Sequence, residues 1–350
     1  MLRHASISAL QAEVLPTAAL ADAPRAAGAL VVYPVVGMPT DSLQRCIAVG
    51  VDIRAEDQSE ALLRGASDVI DLAWAPELIA KRLIQLFVHE ELLAEHGQLR
   101  NRVATHFAAK ERDLADAREM QLALVPPGMA DARLAIDVVL EPALELGGDL
   151  VDYIAIADGR IVVAVGDVSG KGAAAALTMA RTHTLLRSLA LRPYAAEIFS
   201  PPDIAARRLN GMLAIENDGC IFVTMFLGLL DPETGALSYI RGGQIPPFLR
   251  RRDGAIERLD AVGGLPLGIR TDAAYTVGHA VLNPGDTLLI VSDGVTEAEA
   301  PDGRLLDDEP VVAWLAEPRE EMASLVALTR AHEEGGAPTD DLSAMLIRFR

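Results

Sequence analysis

The sequence predicts an α+β protein. Its C-terminal two-thirds is a layered arrangement of strands and helices, preceded by a small α/β segment and a long helical stretch. Three observations carry this. Strand-like apolar runs alternate with helical patterns between Ala29 and Pro76. No proline occurs between Pro76 and Pro126, and that interval is rich in Glu, Arg, Leu and Ala. Beyond Ala130 the strands come in groups with helices between the groups, which fits an α+β layer fold and not a doubly wound one.

The 350 residues are 51% hydrophobic and 23% charged, which excludes a disordered chain. The formal net charge of -19 repels phosphates of nucleic acids and anionic lipids, so neither nucleic acid nor membrane is expected as a partner. Cys46 and Cys220 stand far apart in no metal-ligand spacing, which argues for two reduced thiols. No apolar run reaches the ~18 residues of a membrane span. Met1 to Leu20 has no compact apolar core and is interrupted by Glu13 and Pro16, so no signal peptide and a cytoplasmic location are expected.

The elements follow in order. Ala29 to Tyr33 reads as a short buried strand. Leu62 to Ile70 contains a helix end, a turn and a strand, and Pro76 opens a helix at a tolerated first-turn position. Asp22, Asp41, Asp52, Asp57, Asp68 and Asp71 are expected to be solvated loop or helix-end residues. The stretch GASDVIDLAWAPELIAKRLIQLF resembles the last strand and helix of a response-regulator receiver domain, over about Ala29 to Phe87. The Lys-Pro pair of that family is replaced by Ala73-Trp74-Ala75-Pro76, so the resemblance implies a degenerate receiver that does not accept phosphate.

Glu77 to Leu124 is expected to be helical. Val103, Phe107, Lys110, Leu114, Ala117, Gln121 and Leu124 step by four and three, the seam of a short coiled coil, weakened by Lys110 and Gln121. A homodimer through this linker and a monomeric helix packed on a neighbour both stay open. Pro126-Pro127-Gly128 ends the helix. The expected domains are therefore 1-88, a regulatory α/β domain; 89-125, a helical linker; and 126-350, the main domain.

In the main domain, strands are expected at Leu134 to Leu140, Ile154 to Ala157 and Ile161 to Val168, with Asp158-Gly159 as a hairpin turn. Helices follow at Ala173 to Leu191 and Ile204 to Ile215. Strands return at Ile221 to Leu230, Leu237 to Arg241, Pro247 to Arg251 and Thr287 to Val291. Helices near Val311 and Ser324 precede a last strand, Leu342 to Phe349.

Four motifs place an Asp beside glycine or another Asp at a strand end. They are Gly147-Gly148-Asp149, Gly166-Asp167-Val168-Ser169-Gly170-Lys171-Gly172, Ser292-Asp293-Gly294 and Thr339-Asp340-Asp341. Glycine allows sharp turns and leaves the carboxylate open to approach. Hard divalent cations prefer such oxygen ligands and can activate water for attack on a phosphate. Each Asp alone is a common turn residue; the force lies in four occurring in order.

These pieces make Ala117 to the C-terminus similar to the PPM family of metal-dependent protein phosphatases, in its bacterial SpoIIE/RsbU-like branch. AREMQLALVPP, EPALELGGDLVDY, GDVSGKGAAAALTM, FVTMFLGLLDPETGALSYIRGGQIPPFL, GGLPLGI, LLIVSDGVTEAEAPDG and TDDLSAMLIR match in family order. The resemblance implies an α-β-β-α sandwich of two antiparallel sheets flanked by helices. It implies that Asp149, Asp167, Asp293 and Asp340, with the backbone carbonyl of Val168, bind two Mn²⁺ or Mg²⁺ ions. Asp341 lies beside the last ligand, and Asp152 lies near the site. The implied reaction is hydrolysis of phosphoserine or phosphothreonine on a regulatory protein, such as an anti-sigma-factor antagonist, by a metal-bridging water. An upstream activator would act on the N-terminal domain. Gly242-Gly243-Gln244 departs from the family's usual Ala-Gly-His and replaces a group that titrates with one that does not.

Gly147-Gly148-Asp149 also begins the diguanylate cyclase signature, but Leu150-Val151 follows where that family has Glu-Phe. Gly166 to Lys171 is one residue short of a phosphate loop, and Gly172 stands where a magnesium-binding hydroxyl belongs. Lys171 is expected to be a solvated helix-start residue and His183 to lie on a helix face without a metal role. The alternative function is a catalytically idle scaffold that binds a phosphoprotein or switch partner; a complete Asp set favours the enzyme.

Overall fold

The computed structural model describes residues 31–34, 46–50, 52–63, 68–215, 221–317 and 321–350. The chain divides into two compact units, residues 1–109 and 110–350. In the first, β1 (Val31–Pro34), β2 (Cys46–Gly50), α1 (Ala55–Leu63) and β3 (Asp68–Asp71) form a parallel three-stranded sheet, order β1-β2-β3, with one helix between β2 and β3. Ile47, Ala48, Ala61, Val69 and Ile70 supply its buried apolar surface. Asp22, Asp41, Cys220 and the start of the Ala29 strand lie outside the described residues.

One of the acidic residues expected to be solvated is not. Asp68 is buried on β3 and is gripped by the Arg82 guanidinium. Asp71 accepts the backbone N–H groups of Asp52, Ile53 and Ala73 at 2.8–2.9 Å, and these bonds hold its carboxyl below the usual range. Paired or hydrogen-bonded carboxylates tolerate such positions.

Helix α2 runs unbroken from Pro76 to Leu122, because the interval carries no proline to stop it. Among the described residues no helix is long and apolar enough to cross a membrane.

The second unit opens with β4 (Met129–Ala130), β5 (Leu134–Glu141), β6 (Leu150–Ala155) and β7 (Ile161–Val168). Then come α3 (Ala173–Ala190), α4 (Ala195–Phe199), α5 (Pro202–Ala214), β8 (Val223–Leu230), β9 (Ala236–Gly242), β10 (Phe248–Arg250) and β11 (Ile256–Arg258). The remainder is β12 (Gly278–Val281), β13 (Thr287–Val291), α6 (Asp293–Thr296), α7 (Asp308–Leu315), α8 (Met322–His332) and β14 (Leu342–Phe349). Two antiparallel sheets result, of order β11-β10-β13-β14-β5-β4 and β12-β9-β8-β7-β6.

Three apolar clusters show how the layers stack. Ile136, Val163, Val165, Phe226, Ile290 and Met345 meet between the sheets. Val162, Ala164, Met179, Leu186 and Leu209 fill the space between the five-stranded sheet and α3–α5. Leu289, Leu346, Trp314 and Leu325 join the six-stranded sheet to α7 and α8. The strands therefore bury both faces, so β7 reads as a continuous apolar run and not as an alternation. On α3, Ala175, Met179, His183 and Leu186 recur every three to four residues and form its buried stripe.

Most main-domain elements lie where the sequence places them. The exception at the site is β6, which begins at Leu150 and not at Ile154. Asp152 breaks the apolar pattern there. It is fully buried, with the Arg187 guanidinium on both oxygens at 2.8 Å and His183 Nε2 at 3.3 Å. Removing Arg187 leaves a buried carboxylate with one weaker partner. We expect Arg187→Ala to destabilise the fold by about 2 kcal/mol, below the roughly 3–5 kcal/mol of a fully buried pair because the guanidinium is partly exposed. Asp152→Asn in that background should recover part of the loss in a denaturant midpoint measurement.

Candidate metal and phosphate site

The acidic residues sit where strands end. Asp149 immediately precedes β6. Asp167 and Val168 close β7, and Asp167 stands opposite Thr224 of β8. Asp293 opens α6 just beyond Ser292, which follows β13, and Asp340 and Asp341 lead into β14. β6 and β7 belong to one sheet, β13 and β14 to the other. The carboxylates thus approach from both sheets at one end of the sandwich.

Their electrostatics show that they meet. Burial pushes the Asp149 carboxyl well above the usual range, and the charges of Asp167 and Asp341 push it further. Ser343 and Ser292 pull it part of the way back. Asp167 rises to about 7, first through burial and then through Asp293, Asp340 and Asp341. Asp293 is raised by burial, Asp340 and Glu297. Asp149 is 1% exposed, and its Oδ2 has no hydrogen-bond partner. A buried carboxylate oxygen without a partner calls for a proton or a cation.

Backbone packing around the cluster is close. A Cβ at Gly147 would fall 2.4 Å from Asp341 Oδ2, and one at Gly148 would fall 2.8 Å from the Val168 carbonyl. Only glycine lets the Gly147-Gly148-Asp149 loop lie against both neighbours. Asp341 fastens that loop by accepting the N–H groups of Ala143 at 2.7 Å and Gly148 at 2.5 Å. Of the twin aspartates, Asp341 is therefore the loop anchor. Asp340 pairs with Lys171 Nζ at 3.3 Å. Lys171 is half-exposed but not simply solvated, since it also donates to the Thr339 carbonyl.

Several contributors carry little signal in the sequence. Gln121 is buried and forms a two-way amide link with Gly147, donating to its carbonyl at 2.6 Å and accepting its N–H at 3.1 Å. Its only trace in the sequence is a polar residue at an apolar seam position. Ser292 ties β13 to β14 by accepting the Ser343 N–H at 2.9 Å. Asp152 and His183 pair with each other and with Arg187 beside the cluster, and burial lowers the His183 pKa.

Among the described residues, no three His, Cys, Asp or Glu side chains stand in metal-ligating geometry as they lie. The donor set nevertheless fits hard divalent cations. It consists of carboxylates, with the orphaned Asp149 Oδ2 at its buried end.

Two facing antiparallel sheets, helices on both outer faces and a carboxylate cluster at one end define the PPM-type sandwich. Solved structures share it. The SiaA-PP2C domain of Pseudomonas aeruginosa matches in fold with a TM-score of 0.59 at 17% identity, covering 71% of this chain and 100% of that one. The RsbU and RsbW domains of a Mycobacterium tuberculosis protein match with a TM-score of 0.51 at 27% identity, covering 65% and 62%. A family model described as stage II sporulation protein E (SpoIIE) matches residues 157–350, over half of the sequence. The chain belongs to the SpoIIE family.

Among its relatives, phosphoserine phosphatase RsbU of Bacillus subtilis is 31% identical over 173 residues, covering 49% of each chain. Protein IcfG of Synechocystis sp. is 27% identical over 287 residues, covering 71% of this chain and 44% of its own. The chain spans about half the length of these relatives.

Proposed function

We propose that the chain is a metal-dependent protein phosphatase that hydrolyses phosphoserine or phosphothreonine on a regulatory protein in the cytoplasm. The observation that carries this is the buried Asp149, whose Oδ2 has no partner and which lies within electrostatic reach of Asp167 and Asp341. The likeness to a relative named a phosphoserine phosphatase supports it. Asp149, Asp167, Asp293 and Asp340, with the Val168 carbonyl, would hold two Mn²⁺ or Mg²⁺ ions. Such ions, when bound, supply an activated water and positive charge against the phosphate. The chain's own part is positional. Asp341 fixes the loop before Asp149, Ser292 joins the strands before Asp293 and after Asp340, and Lys171 steadies Asp340.

The test is hydrolysis of para-nitrophenyl phosphate by the full chain with Mn²⁺ or Mg²⁺, repeated after chelation. We expect turnover that chelation abolishes. The alternative reading is an idle scaffold binding a phosphoprotein, which the likeness to relatives named phosphoserine phosphatases does not favour. No turnover despite calorimetric Mn²⁺ binding would favour the scaffold.

Regulation through α2 belongs to the same proposal. Residues 1-88 would receive an upstream activator, and the last turn of the helix carries Gln121, which holds Gly147 beside the acidic cluster. Val103 and Phe107 on its seam are exposed by 46% and 64%, a surface suited to a second copy of the helix. Val103→Glu with Phe107→Glu should convert a dimer to a monomer in sedimentation; an unchanged mass would remove the linker as the dimer contact.

A further inference from the structure

Gln244 occupies the crossover between the two sheets, after β9 of one and before β10 of the other. It is 2% exposed, so its amide must be satisfied internally. Its Oε1 accepts Thr224 Oγ1 at 2.7 Å, and its Nε2 donates to the Val291 carbonyl at 2.9 Å. Arg241 holds the backbone by donating to the Gln244 carbonyl at 2.7 Å. The amide orientation follows from chemistry, because a carbonyl can only accept and so must face Nε2.

The two partners lie on different sheets, next to the cluster. Thr224 on β8 stands opposite Asp167, and its hydroxyl lies 3.4 Å from the Asp167 carbonyl. Val291 ends β13, two residues before Asp293. One side chain therefore spans from the strand beside Asp167 to the strand that delivers Asp293. No other bond described above joins those two strands through a single side chain.

We propose that Gln244 is a positioning residue that sets the separation between the Asp167 half and the Asp293 half of the acidic cluster. This rests on the phosphatase reading. Both halves must close on the same pair of cations, so a slip between the sheets changes cation affinity and turnover together. A misplacement of about 1 Å far from the reacting atoms can lower a rate about a hundredfold. The position needs one donor and one acceptor at fixed places and no charge. A neutral His ring offers that pair; a carboxylate does not, because it would face the Val291 carbonyl with a second acceptor.

The experiment uses the full chain and Mn²⁺ alone as the calorimetric probe, with para-nitrophenyl phosphate for turnover. Gln244→Met keeps the volume but removes both bonds. It should weaken the Mn²⁺ dissociation constant about tenfold or more, the scale seen when groups supporting metal ligands are lost. kcat should fall with KM little changed. At pH 8, Gln244→His should recover most of the Mn²⁺ affinity, and Gln244→Glu should not. Should Gln244→Met fail to fold, the His and Glu pair decides the matter. Mn²⁺ affinity and kcat in Gln244→Met within about twofold of wild type would overturn the proposal while leaving the phosphatase reading intact. Equal affinity in the His and Glu variants would overturn it too. A wild type that binds Mn²⁺ without turnover would sink the phosphatase reading, yet the affinities would still decide the role of Gln244. A wild type that binds no Mn²⁺ would overturn both.

Discussion

Asp293→Asn should lower Mn²⁺-dependent turnover by about a thousandfold, because bound cations contribute several kcal/mol to such a reaction and each ~1.4 kcal/mol is tenfold. The metal-free protein should not lose stability. Asp293 is partly buried and repelled by Asp340 and Glu297, so removing its charge relieves both costs. The melting temperature without metal should therefore hold or rise, while the increase on adding Mn²⁺ should shrink, since ligand stabilisation follows affinity for the folded state. Thermal melts with and without Mn²⁺ check both halves. A variant that melts lower without metal would mean that Asp293 supports the fold and not the cations.

Gly294→Ala should be among the most damaging single-methyl changes in the unit. A Cβ there would sit 1.9 Å from the Asp341 carbonyl oxygen and 2.8 Å from its carbon. Both contacts are with backbone, which cannot rotate aside. The segment leading into β14 would have to shift, carrying Asp340 and Asp341 with it. Overpacking of this kind costs about 3 kcal/mol, and in a unit of this size that lowers the melting temperature by roughly 6–12 °C. Mn²⁺ affinity should fall as well, because Asp341 could no longer fasten the N–H groups of Ala143 and Gly148. Gly303→Ala is a useful contrast. Its φ of +83° strains any side chain, but the nearest atom is the end of the Glu299 side chain at 3.7 Å, so it should leave Mn²⁺ affinity unchanged.

Much of this architecture is legible in the chain. β7, β13 and β14 span the residues their apolar runs suggest, because strands buried on both faces leave long uninterrupted signals. β4, β11 and β12 leave almost none: they have two to four residues, and β11 carries Glu257 and Arg258 while β12 carries His279. The start of β6 is hidden by Asp152, whose burial makes sense only once Arg187, 35 residues away, is seen to reach it. The four acidic motifs are visible as glycine-flanked aspartates. What spacing does not reveal is how they differ. Asp149 is sealed in, Asp340 faces Lys171, and Asp341 grips a loop. Gln244 and Gln121 are harder still, since each is a single neutral amide whose purpose lies in partners distant along the chain.

The place of β14 in its sheet bears on how the protein is made. It lies between β13 and β5, and Leu342 to Phe349 pair along the full length of Glu141 to Leu134. A ribosome adding about 5–20 residues per second needs roughly 10–40 s to travel from the first of these partners to the second. Throughout that time Ile136 and its neighbours on β5 have an open edge, the kind of surface that chaperones shield and that aggregates if left bare. The same delay keeps Asp340 and Asp341 away from Asp149 and Asp167. A nascent chain therefore cannot assemble the acidic cluster early, and completion of the sheet and completion of the site are one event in the life of the molecule.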